Sequence, residues 1–334
     1  MKLNFEQIKQ ITKGATYLEE VDGRVLFHRF TKEQETVYQN LRCGYVNAMQ
    51  YTAGVKLMFR TNSDSVYIKA DFSTKSDSRF FFSVDVFSNG KYVDSLENYS
   101  YRDLTGNYTG VKDPLGVFEK TFMFGAGEKT VCIHLPYTTK TELIELSLDD
   151  GAFIEPVSLP KKLLAFGDSI THGYDALHSS ARYIAKLADY LEAEEFNKAI
   201  GGETFFPELA ETKEEFEPDY IVVAYGTNDW SHGTREVFQK NCRAFYQNVS
   251  KNYPNTRIFA LTPIWRKDYT TKKEFGLFGE VQDEIYSATA ELENVEVIEG
   301  YNLVPHDGKY FGDLRLHPSD EGFVHYFENL KKFI

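Results

Sequence analysis

The hydrophobic pattern of this chain changes period near residue 155, and that change constrains the architecture more than any other feature. Before it, apolar residues alternate: Val55, Leu57 and Phe59; Val66, Ile68, Ala70 and Phe72; Phe80, Phe82, Val84 and Val86; Val131, Ile133 and Leu135; Ile144, Leu146 and Leu148. A period of two marks strands with one face on a core. Asn89-Gly90, between two such runs, tolerates the positive φ that a tight hairpin turn demands. Residues 1–155 are therefore expected to form a β-sandwich of the jelly-roll type with an irregular or helical start. After Pro156 and Pro160 strand and helix patterns alternate. Strands are expected at 162–166, 195–198, 220–225, 257–262 and 295–298, with helices at 180–194, 234–253, 278–292 and 318–332. That order predicts a doubly wound parallel α/β/α domain over 156–334. On the helix from Thr234, a stripe of Val237, Cys242, Phe245 and Val249 is expected to face the core.

A length of 334 residues accommodates two cores of ordinary size. No apolar run approaches the ~18 residues of a membrane span. The opening Met1-Lys2-Leu3-Asn4-Phe5-Glu6-Gln7-Ile8-Lys9-Gln10 lacks the apolar stretch of a secretory signal, so a cytoplasmic location is expected. Cys43, Cys132 and Cys242 are widely spaced without a CxxC pair, which suggests buried free thiols, with no disulfide framework and no metal site. A formal charge of -13 disfavours nucleic acid and anionic lipid surfaces as partners, and a neutral small substrate fits better. No cofactor motif is present, and assembly into a homo-oligomer stays open.

Four short segments carry the chemistry. Gly167-Asp168-Ser169-Ile170 follows the apolar run Leu163-Leu164-Ala165-Phe166, and parallel sheets bind ligands just beyond the carboxyl ends of their strands. A serine there can be a nucleophile, although Gly-Asp-Ser is also ordinary turn chemistry. Gly201-Gly202 follows the strand candidate ending near Asn197, and glycine lets a backbone N–H come close to a ligand. Tyr220-Ile221-Val222-Val223-Ala224-Tyr225 runs into Gly226-Thr227-Asn228-Asp229-Trp230. The Asn228 amide could donate to an oxyanion or serve as a helix cap. Finally, Asp313-Leu314-Arg315-Leu316-His317-Pro318 supplies a histidine, the side chain suited to take and return a proton near neutrality. Of the eight histidines His317 fits this task, while His172, three residues beyond Ser169, could form a wall of the site.

Together, Gly167-Asp168-Ser169, Gly202, Gly226-Thr227-Asn228-Asp229 and His317-Pro318 resemble the four blocks of the SGNH/GDSL hydrolase superfamily, over roughly residues 160–334. The resemblance implies Ser169 as nucleophile, His317 as base, and an oxyanion hole built from the N–H groups of Ser169 and Gly202 with the Asn228 side chain. The family usually places an aspartate three residues before the histidine, where this chain has Leu314; its aspartate, Asp313, stands four before. Either the loop holds one extra residue and Asp313 still reaches the imidazole, or a backbone carbonyl orients it. A sandwich ahead of such a domain is similar to two-domain bacterial carbohydrate esterases. That likeness implies an acetylated oligosaccharide or other small ester as substrate, with Trp230, Trp265, Asp168 and His172 on the substrate side. Either tryptophan could instead cap the core. A lipid, thioester or small-ester hydrolase of the same superfamily, and a carbohydrate-binding protein with an inactive hydrolase domain, are the alternatives.

Overall fold

The computed structural model describes residues 1–74, 78–99 and 115–334. Its strands before residue 157 are β1 (Thr12–Lys13), β2 (Tyr17–Val21), β3 (Arg24–His28), β4 (Lys56–Thr61), β5 (Ser65–Asp71), β6 (Ser83–Ser88), β7 (Lys91–Glu97), β8 (Val117–Met123), β9 (Lys129–His134), β10 (Glu142–Leu148) and β11 (Glu155–Pro156). β1, β4, β9, β6 and β7 form one antiparallel sheet in that order, with β11 paired to β4, and β2, β3, β10, β5 and β8 form a second. Leu57, Phe59, Val84, Val86, Val131 and Ile133 of the first sheet meet Val66, Ile68, Ala70 and Leu146 of the second in one core. The alternation works because successive side chains of a strand point to opposite faces. At the β6–β7 hairpin Asn89 and Gly90 take φ of 50° and 74°.

Two positions depart from the sequence pattern. Phe80 is 47% exposed while Phe81 and Phe82 are buried, because β6 begins only at Ser83 and the residues ahead of it do not alternate. The pairing of β10 with β5 shifts register between Leu143 and Glu145, so Leu143 takes the buried place expected of Ile144.

The second half holds β12 (Lys161–Gly167), β13 (Ala193–Asn197), β14 (Tyr220–Ala224), β15 (Arg257–Leu261) and β16 (Val295–Ile298) in one parallel sheet ordered β13-β12-β14-β15-β16. Leu163, Leu164 and Ala165 of β12 and Ile221, Val222 and Val223 of β14 are all buried, as expected of a parallel sheet covered on both faces. Among the described residues the α-helices are α1 (Phe5–Ile11), α2 (Lys32–Leu41), α3 (Val46–Met49), α4 (Ser169–His172), α5 (Tyr183–Tyr190), α6 (Thr227–His232), α7 (Arg235–Asn252), α8 (Glu280–Thr289) and α9 (Asp320–Leu330). α5 is shorter than the sequence suggests, since Ser179–Ala181 form a separate 3-10 turn and Glu192 turns the chain with φ 54°. Val237 is corrected from core to surface: it donates its N–H to the Thr234 cap and is 54% exposed, while Phe238, Cys242, Phe245, Tyr246 and Val249 form the buried stripe.

The two halves interlock. α2 and α3, inserted between β3 and β4, leave the antiparallel sheets, and Phe30, Tyr38 and Met49 join the core of Leu164, Phe166, Ile221 and Val223. The buried Arg29 guanidinium donates to the carbonyls of Tyr51 and Ala48 on its own side and of Asn197 and Ala199 across the boundary. Gly54 has φ 85°, and a Cβ there would stand 2.9 Å from Glu195 Oε1 and 3.0 Å from Asn197 Cβ, so the backbone passes β13 at a distance only glycine allows. Of the thiols only Cys242 is buried; Cys43 is exposed and Cys132 half-buried, which corrects the expectation of three buried cysteines. Among the described residues no helix is long and apolar enough to cross a membrane.

Candidate active site

Three strand ends converge on one edge of the parallel sheet. β12 ends at Gly167; Asp168 then caps α4 by accepting the Ile170 N–H at 2.9 Å, which makes Ser169 the first helical residue. A helix leaves its first-turn N–H groups without partners inside the helix. β13 leads to Gly202, which takes a φ of 85° and lines the same cleft as Ser169. β14 leads to Asn228 in the first turn of α6, and its Nδ2 donates to the Glu203 carbonyl at 2.9 Å. An amide nitrogen carries two N–H donors, so one remains for the cleft that Asn228 lines. β12 is also where the strand order reverses, with β13 on one side and β14 on the other, the place at which open α/β sheets bind ligands.

His317 comes from the loop before α9, and a short bridge between Phe311 and Pro318 closes that loop. Its Nε2 lies 2.9 Å from Ser169 Oγ and its Nδ1 2.9 Å from Asp313 Oδ2. The other oxygen of Asp313 accepts the backbone N–H groups of Arg315, Leu316 and His317 at 2.9, 2.7 and 3.1 Å. The extra residue relative to the family spacing is taken up by Leu314, which adopts the left-handed φ of 58°. Burial by itself would raise the Asp313 pKa, but the hydrogen bond from His317, its charge and the Leu316 and Arg315 N–H groups hold the carboxyl well below the usual range. The carboxylate on Nδ1 keeps the Nδ1–H tautomer, which turns the Nε2 lone pair toward the serine hydroxyl. A hydroxyl, an imidazole and a carboxylate so connected can deprotonate the serine and hold the imidazolium that forms.

A cleft of about 400 Å³ opens over this chain of groups. One side of it is built by the first half of the sequence, through Tyr45, Asn47, Tyr51, Ser78 and Arg79. Arg79 is held by Asp175 at 2.9 Å, stacks over the Tyr174 ring at 4.6 Å and places Nη2 3.3 Å from His317 Nδ1. Asp175 Oδ2 stands 3.9 Å from the same nitrogen, a second carboxylate behind the histidine. Sequence reading misses Arg79 and Asp175, because no local motif marks them and only the packing of the two halves brings them to His317.

The residues expected on the substrate side are placed elsewhere. Trp230 is fully buried against Phe278 and donates its indole N–H to the Gly276 carbonyl at 3.1 Å; α6 turns it inward, into the core. Trp265 is 8% exposed, stacked on His306 and packed on Phe311, and does not line the cleft. Asp168 is spent on the α4 cap. His172 is no wall of the cleft: its Nδ1 accepts the Gly201 N–H at 3.2 Å and its Nε2–H donates to the Tyr137 carbonyl at 2.8 Å. Burial pushes the His172 pKa well below the ordinary value, and the neutral ring links the first half of the chain to the Gly201-Gly202 turn. Arg266 holds α6 through Thr227 and Ser231 and pairs with Asp268.

Buried acids surround this turn. Burial pushes Glu203 up to about 8 against its hydrogen bond from Tyr38, and pushes Asp168 and Asp229 up to about 7. At the boundary between the halves, the hydrogen bond to Asp85 raises His178 to about 9. Each of these groups binds its proton more tightly folded than unfolded. The stabilisation is present at lower pH and is lost as pH rises through the folded pKa values. The melting temperature is therefore expected to fall steadily between pH 6.5 and 9, less steeply in His178→Asn; calorimetry showing a flat or rising profile there would contradict these assignments.

Residues 165–323 match the GDSL-like lipase/acylhydrolase family. No curated protein matches the chain in sequence. Among solved structures, the salicylyl-acyltransferase SsfX3 from a tetracycline biosynthetic pathway is similar over 96% of this chain and 92% of its own, with a TM-score of 0.78 at 19% identity. A putative GDSL-like lipase from Bacteroides ovatus is similar over 98% and 95%, with a TM-score of 0.78 at 17% identity. A family two carbohydrate esterase from Clostridium thermocellum, solved with cellohexaose, is similar over 85% and 92%, with a TM-score of 0.65 at 16% identity. These likenesses extend the shared fold across both halves, and the family match identifies residues 165–323 as a GDSL-like lipase/acylhydrolase segment, which supports an esterase.

Proposed function

We propose that the protein removes O-acetyl groups from carbohydrates, with residues 156–334 as the hydrolase unit and residues 1–155, read as a jelly roll, as an accessory unit that walls the cleft. Ser169 Oγ attacks the acetyl carbonyl while His317 Nε2 takes its proton. The C–O bond to the sugar then breaks, and the same proton passes to the leaving hydroxyl. Water, deprotonated by His317, releases acetate from the acyl-enzyme. The N–H groups of Ser169 and Gly202 and the free amide hydrogen of Asn228 hold the negative oxygen of each tetrahedral intermediate. Asp313 keeps the imidazole oriented and stabilises its charged form.

The observation that carries this reading is the unbroken contact from Ser169 Oγ through His317 to Asp313, at 2.9 Å for each link, beneath an open cleft. The cleft lining is rich in hydroxyl, amide and charged groups, which suits a sugar better than a long acyl chain. An acyl-length series of 4-nitrophenyl esters, run beside acetate release from acetylated xylo-, manno- and gluco-oligomers, tests it. Acetyl should be the best acyl group and an oligomer the best alcohol; faster turnover of octanoate than acetate would transfer the assignment to a lipid or other long-chain ester. Asn228→Ala is expected to lose about 10²–10³-fold in kcat, the usual effect of deleting one oxyanion donor. Unchanged kcat in that variant would remove Asn228 from the oxyanion hole.

A further inference from the structure

The cleft opposes the charge of the molecule around it. The chain carries 37 Lys and Arg against 50 Asp and Glu, yet the described residues lining the cleft include four cations, Arg79, Arg266, Lys273 and Arg315, and a single carboxylate, Asp268. That carboxylate is already engaged by Arg266, at 2.7 and 3.1 Å, and Arg315 Nη1 approaches it only to 3.9 Å. Asp175 sits behind the cleft, bound to Arg79. Lys273 has no carboxylate within ion-pair distance among the described residues; its Nζ lies 5.3 Å from the centre of the Trp230 ring. Lys273 and the half-exposed Arg315 are thus cations in excess at the cleft, and a cleft with low-dielectric walls concentrates the field of such a surplus. The net charge of -13 misleads about the substrate because it sums the whole surface, whereas a ligand is attracted by the charges it meets at close range.

The positions of Arg315 and Arg79 indicate which half of the substrate the cationic side of the cleft meets. Arg315 lies two residues before His317 in the same loop, and Arg79 stands 3.3 Å from the His317 ring. In the reaction proposed above, on which this inference rests, His317 delivers the proton to the departing alcohol. Groups beside it therefore face the alcohol half of the ester, across from the acyl group. We infer that the preferred substrate is an acylated acidic sugar, with a carboxylate or phosphate on the alcohol half close to the esterified hydroxyl, drawn in by Lys273 and Arg315.

The test compares kcat/KM at low ionic strength for an acetylated uronic-acid oligomer, an acetylated sugar phosphate and an acetylated neutral oligomer. At least one anionic ester is expected to be preferred over the neutral one by about tenfold or more, and the preference should shrink as salt is raised to about 0.5 M. Whichever anionic ester leads identifies the group. In the Lys273→Gln/Arg315→Gln double variant the ratio of anionic to neutral kcat/KM should fall toward one; a purely structural role would lower both values and leave the ratio in place. A neutral substrate that is equal or better, or a ratio indifferent to salt and to the double substitution, overturns the inference. Hydrolysis of uncharged 4-nitrophenyl acetate, lost in Ser169→Ala, reports the parent esterase reading by itself. If it is present without an anionic preference, only the acidic-sugar inference fails; if no ester is hydrolysed in a Ser169-dependent way, both fail.

Discussion

Ser169→Ala is expected to abolish ester hydrolysis while leaving the fold intact. The hydroxyl contacts His317 at the edge of an open cleft, so its removal exposes no buried partner and creates no internal void. Without it no acyl-enzyme can form, and the oxyanion donors and the bound substrate geometry remain as the only sources of acceleration. Loss of a nucleophile that acts as one unit with its base costs about 10⁴–10⁶-fold in kcat. His317→Ala should lose a comparable amount, and the Ser169→Ala/His317→Ala double variant little more than either, because the two groups perform one step. Turnover of 4-nitrophenyl acetate with the melting temperature as a control checks both. Undiminished hydrolysis by Ser169→Ala would remove the proposed nucleophile and the mechanism with it.

The largest stability loss is expected from Arg182→Ala. Arg182 and Glu195 form a two-point ion pair at 2.7 and 3.1 Å, with side chains 1% and 0% exposed. Burial alone would raise the Glu195 pKa, and the charge and hydrogen bonds of Arg182 more than reverse it, with help from the Asn197 amide. Truncating the arginine leaves a carboxylate in the interior beside Gly54, where the two halves pass closely. Breaking a buried pair from one side typically costs about 3–5 kcal/mol, chiefly as the penalty of the charge left behind. Two measurements test this cause. Chemical denaturation should show the loss at neutral pH, and the Arg182→Ala/Glu195→Gln double variant should recover part of it. The single variant should also regain stability as pH is lowered toward 5, because an unpaired buried carboxyl takes up a proton in the folded state first. A deficit of the same size at every pH would point to lost packing of the arginine stem instead.

Local periodicity marked the two kinds of sheet because it depends only on side-chain alternation along one strand. The antiparallel runs around Val66 and Val131 and the buried run of β14 occur where their patterns place them. Ile144 and Phe80 depart from the alternation for a reason the pattern does not contain: a register shift against β5 in one case and a late strand start in the other. Trp230 shows the same limit in the site. Its place after a strand end suggested an aromatic platform, but the rotation of α6 decided that the ring faces Phe278.

The residues by themselves determined the order of the serine, glycine, asparagine and histidine segments and their places after strand ends and before the last helix, the arrangement that the proposed mechanism uses. Whether Asp313 reaches the imidazole from one residue farther away was decided only by the tertiary loop, in which Leu314 takes φ 58° and the carboxylate meets Nδ1. The same holds for Arg79, Asp175, Tyr45 and the link from Tyr137 through His172 to Gly201, whose contacts span tens to hundreds of residues of chain. Proximity of that kind has no local signature. It arises when two hydrophobic cores close against each other and bring together polar groups that the sequence keeps far apart.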